Sequence, residues 1–505
     1  MTAATAALPL RADTLARIGQ TVPVPTYDRA ALATGIVHLG VGGFHRAHEA
    51  MYLDEWMNTD PTAAEQGWGI CGVGVLAGDE RMKRVLDEQD GLYTLVLKHP
   101  DGSWTARVVG SLVDYLWAPE DPEAVLERMA DPATRIVSLT VTEGGYSIHP
   151  VTGEFDVTPA VQADLAPGAV PATAFGLVVE ALARRRERGI PAFTVLSCDN
   201  IQGNGDVAAR SFRAFAELRD PDLAGWIAEH VRFPNSMVDR ITPATTDDDR
   251  AEIARRFGIL DGWPVVCEPW VQWVLQDEFG DQGAAPARPA WESVGVQFVV
   301  EVEPYEKMKL RLLNASHQAM SYLGRLAGYD LVSQVCRDPA FAAFLLAYMS
   351  DEATPTLDPV PGIDLDAYRH SLIERFGNEG VRDTLARNCA ETSDRIPTFI
   401  LPVVRDRLAA GGDVTACATV IASWVRYLGG ADENGRPLEI VDRNAATLVP
   451  LAAAEDPTAF LRQDLFGGLA DEPRFTEPYR WALESLRTRG ARETAAAVAE
   501  RGARG

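Results

Sequence analysis

Basic residues are in short supply in this 505-residue sequence. Its 47 lysines and arginines are outnumbered by 72 aspartates and glutamates, for a formal net charge of −25 at pH 7. Such a balance repels phosphate backbones and anionic headgroups, which argues against nucleic acid and membrane surfaces as partners. It does not choose between neutral and acidic small substrates. Cysteine is sparse as well. Cys71, Cys198, Cys267, Cys336, Cys389 and Cys417 are widely spaced, with no Cys-x-x-Cys pair and no short His/Cys cluster at zinc spacing. No metal centre is therefore expected, and the compartment reads as a reducing cytoplasm. There is no run of about 18 apolar residues, so no membrane span is expected. The short apolar N-terminus lacks a basic segment and does not read as a signal peptide. Internal repeats, heptads and low-complexity tails are also missing.

What is present is ample apolar material, 47% of residues, enough for a large core and two domains. The first half alternates strands and helices. Candidate strands are Gly35–Leu39, Trp68–Val75, Leu92–Lys98, Ala106–Tyr115, Arg135–Val141 and Ala192–Ser197, with a helix over Ala172–Arg188. After about residue 300 the pattern turns helical: Phe341–Ser350, Asp364–Phe376, Val381–Cys389, Leu401–Ala410, Thr415–Leu428 and Tyr479–Glu500. The Gly/Pro/Ala-rich stretch Gly280–Arg288 reads as a loop near the boundary. The expected organisation is α/β: a Rossmann-type N-terminal domain over residues 1–294 and a mostly α-helical C-terminal domain over 295–505.

Gly40-Val-Gly-Gly-Phe-His-Arg-Ala-His48 follows its strand at once and runs into a helical stretch to about Met57. Strand, glycine turn and helix form the context in which backbone N–H groups can approach a pyrophosphate. Gly40, Gly42, Gly43 and Phe44 are the candidate cofactor contacts, although His45 stands where a third glycine would be. Asp79, after the second strand, reads either as a ribose-binding acid or as a turn cap. Thr142-Glu143-Gly-Gly-Tyr146 is a second glycine turn at a strand end, which adds Glu143 to the cofactor list. Asn200 lies just past the strand ending at Ser197. Asp239 sits among apolar neighbours, either paired with Arg240 or binding something.

The stretch Pro304–Gly324 predicts a helix, with Pro304 at its entry and Glu306 in its first turn. At about 100° per residue, Lys309, Leu313, His317, Leu310 and Asn314 share one arc, while Arg311 and Gln318 fall on the wet side. A lysine desolvated among leucines loses proton affinity and becomes a usable base, with Asn314 and His317 placed to hold an oxygen beside it. Arg387 and Arg395 bracket a polar turn and read by default as surface arginines.

Together and in order, the Gly40–His48 motif, Thr140–Tyr146, Ser197–Asn200, Phe233–Pro243 and Lys309-x4-Asn314-x2-His317 resemble the polyol-specific long-chain dehydrogenases, the mannitol dehydrogenase family. The resemblance runs from about residue 35 to the last helix. It implies metal-independent hydride transfer between NAD and a polyol, D-mannitol and D-fructose first. D-arabinitol, or the D-mannonate/D-fructuronate pair of fructuronate reductases, stand as alternatives. A non-catalytic NAD-binding regulator would be expected to lack the lysine or the asparagines, and all are present. By position, the resemblance makes Lys309 the general base, Asn200 and Asn314 the holders of the reacting oxygen, and His317, Asp239, Arg387 and Arg395 the substrate contacts. Close relatives are expected to carry lysine at position 395. It also implies that Asp79 grips the ribose and that the protein is a monomer.

Overall fold

The computed structural model describes residues 7–60, 62–148 and 154–502. The chain separates into two compact units, the first ending at Glu303 and the second beginning at Pro304.

The first unit is built on five parallel strands: β1 (Thr34–Leu39), β2 (Gly69–Gly74), β3 (Leu112–Trp117), β4 (Ile136–Leu139) and β5 (Thr194–Ser197). Their order is β3-β2-β1-β4-β5. Two-residue alternation sends Val37, Leu39, Val137 and Leu139 to one face, under helices Pro122–Ala130, Ala174–Arg188 and Asn204–Arg219. Ile36, Ile70, Ile136 and Leu196 go to the other, under helix Glu49–Thr59 with Trp273 and Trp291. Covered on both faces, the strands have no solvent side, which is why they read as apolar runs. Strand order reverses between β1 and β4, and such a switch point opens a crevice at the strands' carboxyl ends.

Several segments differ from the sequence reading. The expected single strand Ala106–Tyr115 is two strands in different sheets, Trp104–Val109 and Leu112–Trp117. Between them Gly110 is claimed by side chains: its N–H donates to Asp54 Oδ1 (2.9 Å) and its carbonyl accepts from Arg29 Nε (2.8 Å). The helix after the glycine turn breaks at His48 (φ −126°, ψ −95°) into Gly43–Ala47 and Glu49–Thr59.

In the second unit the helix Thr415–Tyr427 is buried along nearly its whole length and packs against helices Ala315–Leu326 and Pro473–Arg489. Buried Glu352 caps its start, accepting the N–H groups of Ala416 (2.5 Å) and Cys417 (2.8 Å). The expected helix Tyr479–Glu500 is two, Pro473–Arg489 and Ala491–Gly502, parted by Gly490 at φ +85°. Val381–Cys389 contracts to Leu385–Asn388. Upstream of it Asp383 gives its carbonyl to Val332 N–H instead of to a helical turn.

Candidate active site

At the carboxyl end of β1, Gly40 adopts φ +96°, and a Cβ there would collide with the Thr140 carbonyl. Only glycine fits that turn. A Cβ on Gly42 or Gly43 would meet nothing closer than 3.6 Å, so the backbone on this side stays open to a ligand. Phe44 stacks on the His48 ring (4.9 Å between centroids). Asp79, just past β2, turns Oδ2 inward to accept the N–H groups of Val75 (2.9 Å) and Leu76 (2.8 Å). One of its oxygens thus caps its own turn, the second of the two roles its position suggested. Glu143 opens the turn Glu143–Tyr146, and its side chain lies outside the described residues.

That turn is held by a residue missing from the sequence reading. Asp199, buried at the end of β5, accepts from Val141 N–H (3.0 Å), Thr142 N–H (2.8 Å) and Tyr146 Oη (2.7 Å). It supports Thr142 at φ +65°, a backbone state that costs a non-glycine residue on the order of 1–3 kcal/mol. Asn200 follows it and is exposed. Asp239 ends strand Ser236–Asp239 and is buried. The neighbouring Arg240 directs its guanidinium to the carbonyls of Glu268 (3.1 Å) and Ala47 (2.7 Å). The order of the chain alone, an aspartate one residue before a strand-end asparagine, carried too little information to single out Asp199.

In the second unit one continuous rod carries Lys309, Asn314 and His317. Its α-helix Glu303–Met308 passes into a π-turn, Lys309–Asn314, and back to α-helix over Ala315–Leu326. The Ala315 N–H reaches the Leu310 carbonyl, five residues back. A π-turn adds a residue to the turn, so everything after it slips in phase by about 100° against an α-helical wheel. This corrects the expected wet face. Gln318 is buried, donating to the Asn388 carbonyl and accepting from Tyr322 Oη (2.6 Å). Arg311 is enclosed too, paired with Asp406 (2.6 Å) and donating to the Thr356 carbonyl (2.9 Å). Tyr348 Oη, on a second π-turn (Tyr348–Ala353), donates to the Arg311 carbonyl (3.0 Å) and braces the first.

Lys309 is buried, 8% exposed, on that turn. Asn314 Oδ1 and His317 Nε2 are buried with no hydrogen-bond partner among the described residues. Burial pushes His317 down to about 4; Asp383 opposes the shift, while Arg387, Arg375 and Arg395 reinforce it. His317 is therefore neutral near neutral pH, its ring tilted against Phe376 at 4.8 Å. Arg387, largely exposed, makes a two-pronged ion pair with Asp383 (3.0 and 2.9 Å). Asp383 lies one helical turn before Arg387 and 4.0 Å from His317 Nε2, and the sequence reading overlooked it. Arg395, half-buried on helix Thr392–Phe399, donates its backbone N–H to the Glu391 carbonyl (3.4 Å), while its guanidinium has neither an ion pair nor a hydrogen bond among the described residues.

Among the described residues one cluster has metal-donor composition, the buried His38, His45 and Glu49 of the first unit. The rings of His38 and His45 stack 3.5 Å apart at 11°, so their in-plane lone pairs run side by side and do not converge on one ion.

A parallel sheet with a glycine turn at its switch point, followed in the chain by a helical unit with a buried lysine, is the architecture of a two-domain dinucleotide-type oxidoreductase. Residues 34–292 match the mannitol dehydrogenase Rossmann domain and residues 301–487 the mannitol dehydrogenase C-terminal domain, and the chain belongs to the mannitol dehydrogenase family. It is 44% identical to a mannitol 2-dehydrogenase of Phaeosphaeria nodorum, over 98% of this chain and 86% of that protein. It is 43% identical to one of Aspergillus fumigatus, over 94% of this chain and 95% of that one. Among solved structures it is similar to Pseudomonas fluorescens mannitol 2-dehydrogenase in ternary complex with NAD and D-mannitol (TM-score 0.86, 42% identity, 98% of this chain and 100% of that one). It is also similar to a substrate-free D-sorbitol dehydrogenase (TM-score 0.89, 39% identity, 97% and 100%).

Proposed function

We propose that this protein is an NAD-dependent polyol dehydrogenase that interconverts D-mannitol and D-fructose. The observation that carries the reading is near full-length identity of 43–44% to mannitol 2-dehydrogenases. The site fits the cofactor, because Gly40 tolerates no side chain while Gly42 and Gly43 leave the backbone open on the ligand side. Gly40, Gly42, Gly43, Phe44, Asp79 and Glu143 are assigned to holding it. NAD supplies the hydride acceptor.

Lys309 takes the proton from the substrate hydroxyl as hydride leaves its carbon, and returns it in the reverse direction. Asn314 donates its amide N–H to the developing alkoxide, and neutral His317 orients a neighbouring hydroxyl. Asn200 is assigned to the same oxygen, and Asp239, Arg387 and Arg395 to substrate binding, on the family resemblance. No step calls for a metal. Six unpaired, buried cysteines accord with a reducing compartment, which we take to be the cytoplasm, and we take the protein to act as a monomer without nucleic-acid partners. Among the described residues no helix is long and apolar enough to cross a membrane.

The similarity to D-sorbitol dehydrogenase favours sorbitol as a second substrate to test. Initial rates of NADH formation with D-mannitol, D-sorbitol, D-arabinitol and D-mannonate decide the matter. Dominance of mannitol supports the assignment. Turnover of mannonate alone would overturn it and reassign Arg387 or Arg395 as a carboxylate clamp.

A further inference from the structure

A hydrogen-bonded chain under the Gly40 turn contains more protons than its residue types require. β1 and β4 pair in register His38↔Ser138, which sets an imidazole beside a hydroxyl inside the sheet. His38 Nε2 lies 2.9 Å from Thr140 Oγ1, and Thr140 Oγ1 lies 2.6 Å from the Gly40 carbonyl. A carbonyl only accepts, so the Thr140 proton points at Gly40, and His38 Nε2 must carry the proton that points at Thr140.

On the other side of the ring, three atoms crowd together: His38 Nδ1 to Ser138 Oγ is 2.7 Å, Ser138 Oγ to Glu49 Oε2 is 2.8 Å, and His38 Nδ1 to Glu49 Oε2 is 3.1 Å. A neutral imidazole protonated at Nε2 and a glutamate would leave only the serine proton to serve all three. The two hydrogen bonds of the serine need two protons. The group therefore holds one extra, as imidazolium with glutamate or as imidazole with glutamic acid, and either form is neutral overall. Neutrality is what complete burial demands, and His38, Ser138 and Glu49 are 0–1% exposed.

The groups around this cluster are His45, stacked on His38 with its Nε2 3.5 Å from Glu49 Oε2; Arg46 and His48 from the same turn, which face His45; and Cys198 from the end of β5, which faces Glu49. Burial, then His38, Arg46 and His48, push His45 well below its usual value, so His45 does not supply the proton.

We propose that the proton shared by His38, Ser138 and Glu49 sets the Gly40 turn through Thr140, making His38 a positioning residue for NAD. The inference rests on the cofactor assignment above. The extra proton fixes which nitrogen of His38 donates, the donation frees the Thr140 proton, and that proton anchors the carbonyl of the one glycine in the loop whose φ and surroundings admit no side chain. Cofactor affinity then depends on the proton, while groups on the Lys309 rod do not.

The test is a fluorescence titration of the full chain with NADH, with unfolding temperatures alongside. Thr140→Val keeps the shape and removes the link; it is expected to weaken NADH about tenfold, the loss of one hydrogen bond, with Thr140→Ser restoring affinity. Glu49→Gln offers a permanent amide donor to His38 Nδ1, so it should retain affinity. Thr140→Val binding NADH like wild type, or Glu49→Gln binding it as weakly as Thr140→Val, would overturn the inference. A wild-type protein that binds neither NADH nor NADPH would instead overturn the cofactor assignment itself.

Discussion

Asp79 and Asp199 at the sheet edge and Asn314 and His317 on the rod put their buried polar atoms to different uses. At the carboxyl edge of the sheet in the first unit, side chains serve the backbone: Asp79 caps its own turn and Asp199 ties down Val141, Thr142 and Tyr146. On the rod of the second unit, Asn314 Oδ1 and His317 Nε2 are buried with no hydrogen bond among the described residues, and the guanidinium of half-buried Arg395 has no partner among them either. An unmet buried polar atom costs about 1–3 kcal/mol. A protein retains such atoms where a hydroxyl-rich ligand can satisfy them. One unit has a finished backbone surface for a cofactor to lie on. The other has an unfinished set of side chains that a polyol would complete.

The strongest break in that comparison is Lys309→Ala. It should lower kcat about 10²–10⁴-fold while NADH titration stays near wild type, and a folded variant that loses NADH binding would show the lysine serves the wrong half. Next comes acid stability. The folded-state value of His317, about 4, is below its usual 6.5, so its contribution is present above 6.5 and lost as pH falls through 4. The window is worth about 3 kcal/mol, and His317→Asn should flatten that part of the unfolding curve between pH 7 and 4. Asn314→Ala should cost about 10²-fold in kcat, with NADH affinity again unmoved; an effect on KM for NADH alone would blur the division. Gly40→Ala attacks the backbone half. It should weaken NADH at least about tenfold and lower the unfolding temperature, since strain at such a site exceeds about 1 kcal/mol. The smallest effect belongs to Asp79→Ser. It should shift NAD/NADP preference a few-fold, roughly 1 kcal/mol, and an unchanged ratio would mean that the carboxylate serves only Val75 and Leu76.

Much of the first unit could be read in advance because its cues are local. Gly40 follows an apolar strand directly, and Asn200 follows another. Asp199 escaped notice because its partners lie about 57 residues away in sequence, on the β4 turn. The Ala106–Tyr115 strand misled because Gly110 is claimed by Arg29 and Asp54, neither of which is near it in the chain. In the second unit, the wheel placed Lys309, Asn314 and His317 on one arc and Gln318 on the wet side, and Gln318 is buried. It assumed a constant period, and the π-turn changed it.

Composition and motif order alone determined the broad assignment: an acidic two-part α/β and helical chain, with a glycine turn after its first sheet strand and a lysine, asparagine and histidine spaced for one helix. Those properties depend on neighbours within a dozen residues. Tertiary structure decided the rest: the π-turn and its brace at Tyr348, the pairing of Arg387 with Asp383, the isolation of Arg395 and the His38–Ser138 register. The brace at Tyr348 and the His38–Ser138 register are set by partners 37 and 100 residues away, brought near only when burial makes an unpaired polar group too costly to leave alone. Arg387 and Asp383 are only four residues apart, and there the distant partner is Val332, whose N–H donates to the Asp383 carbonyl.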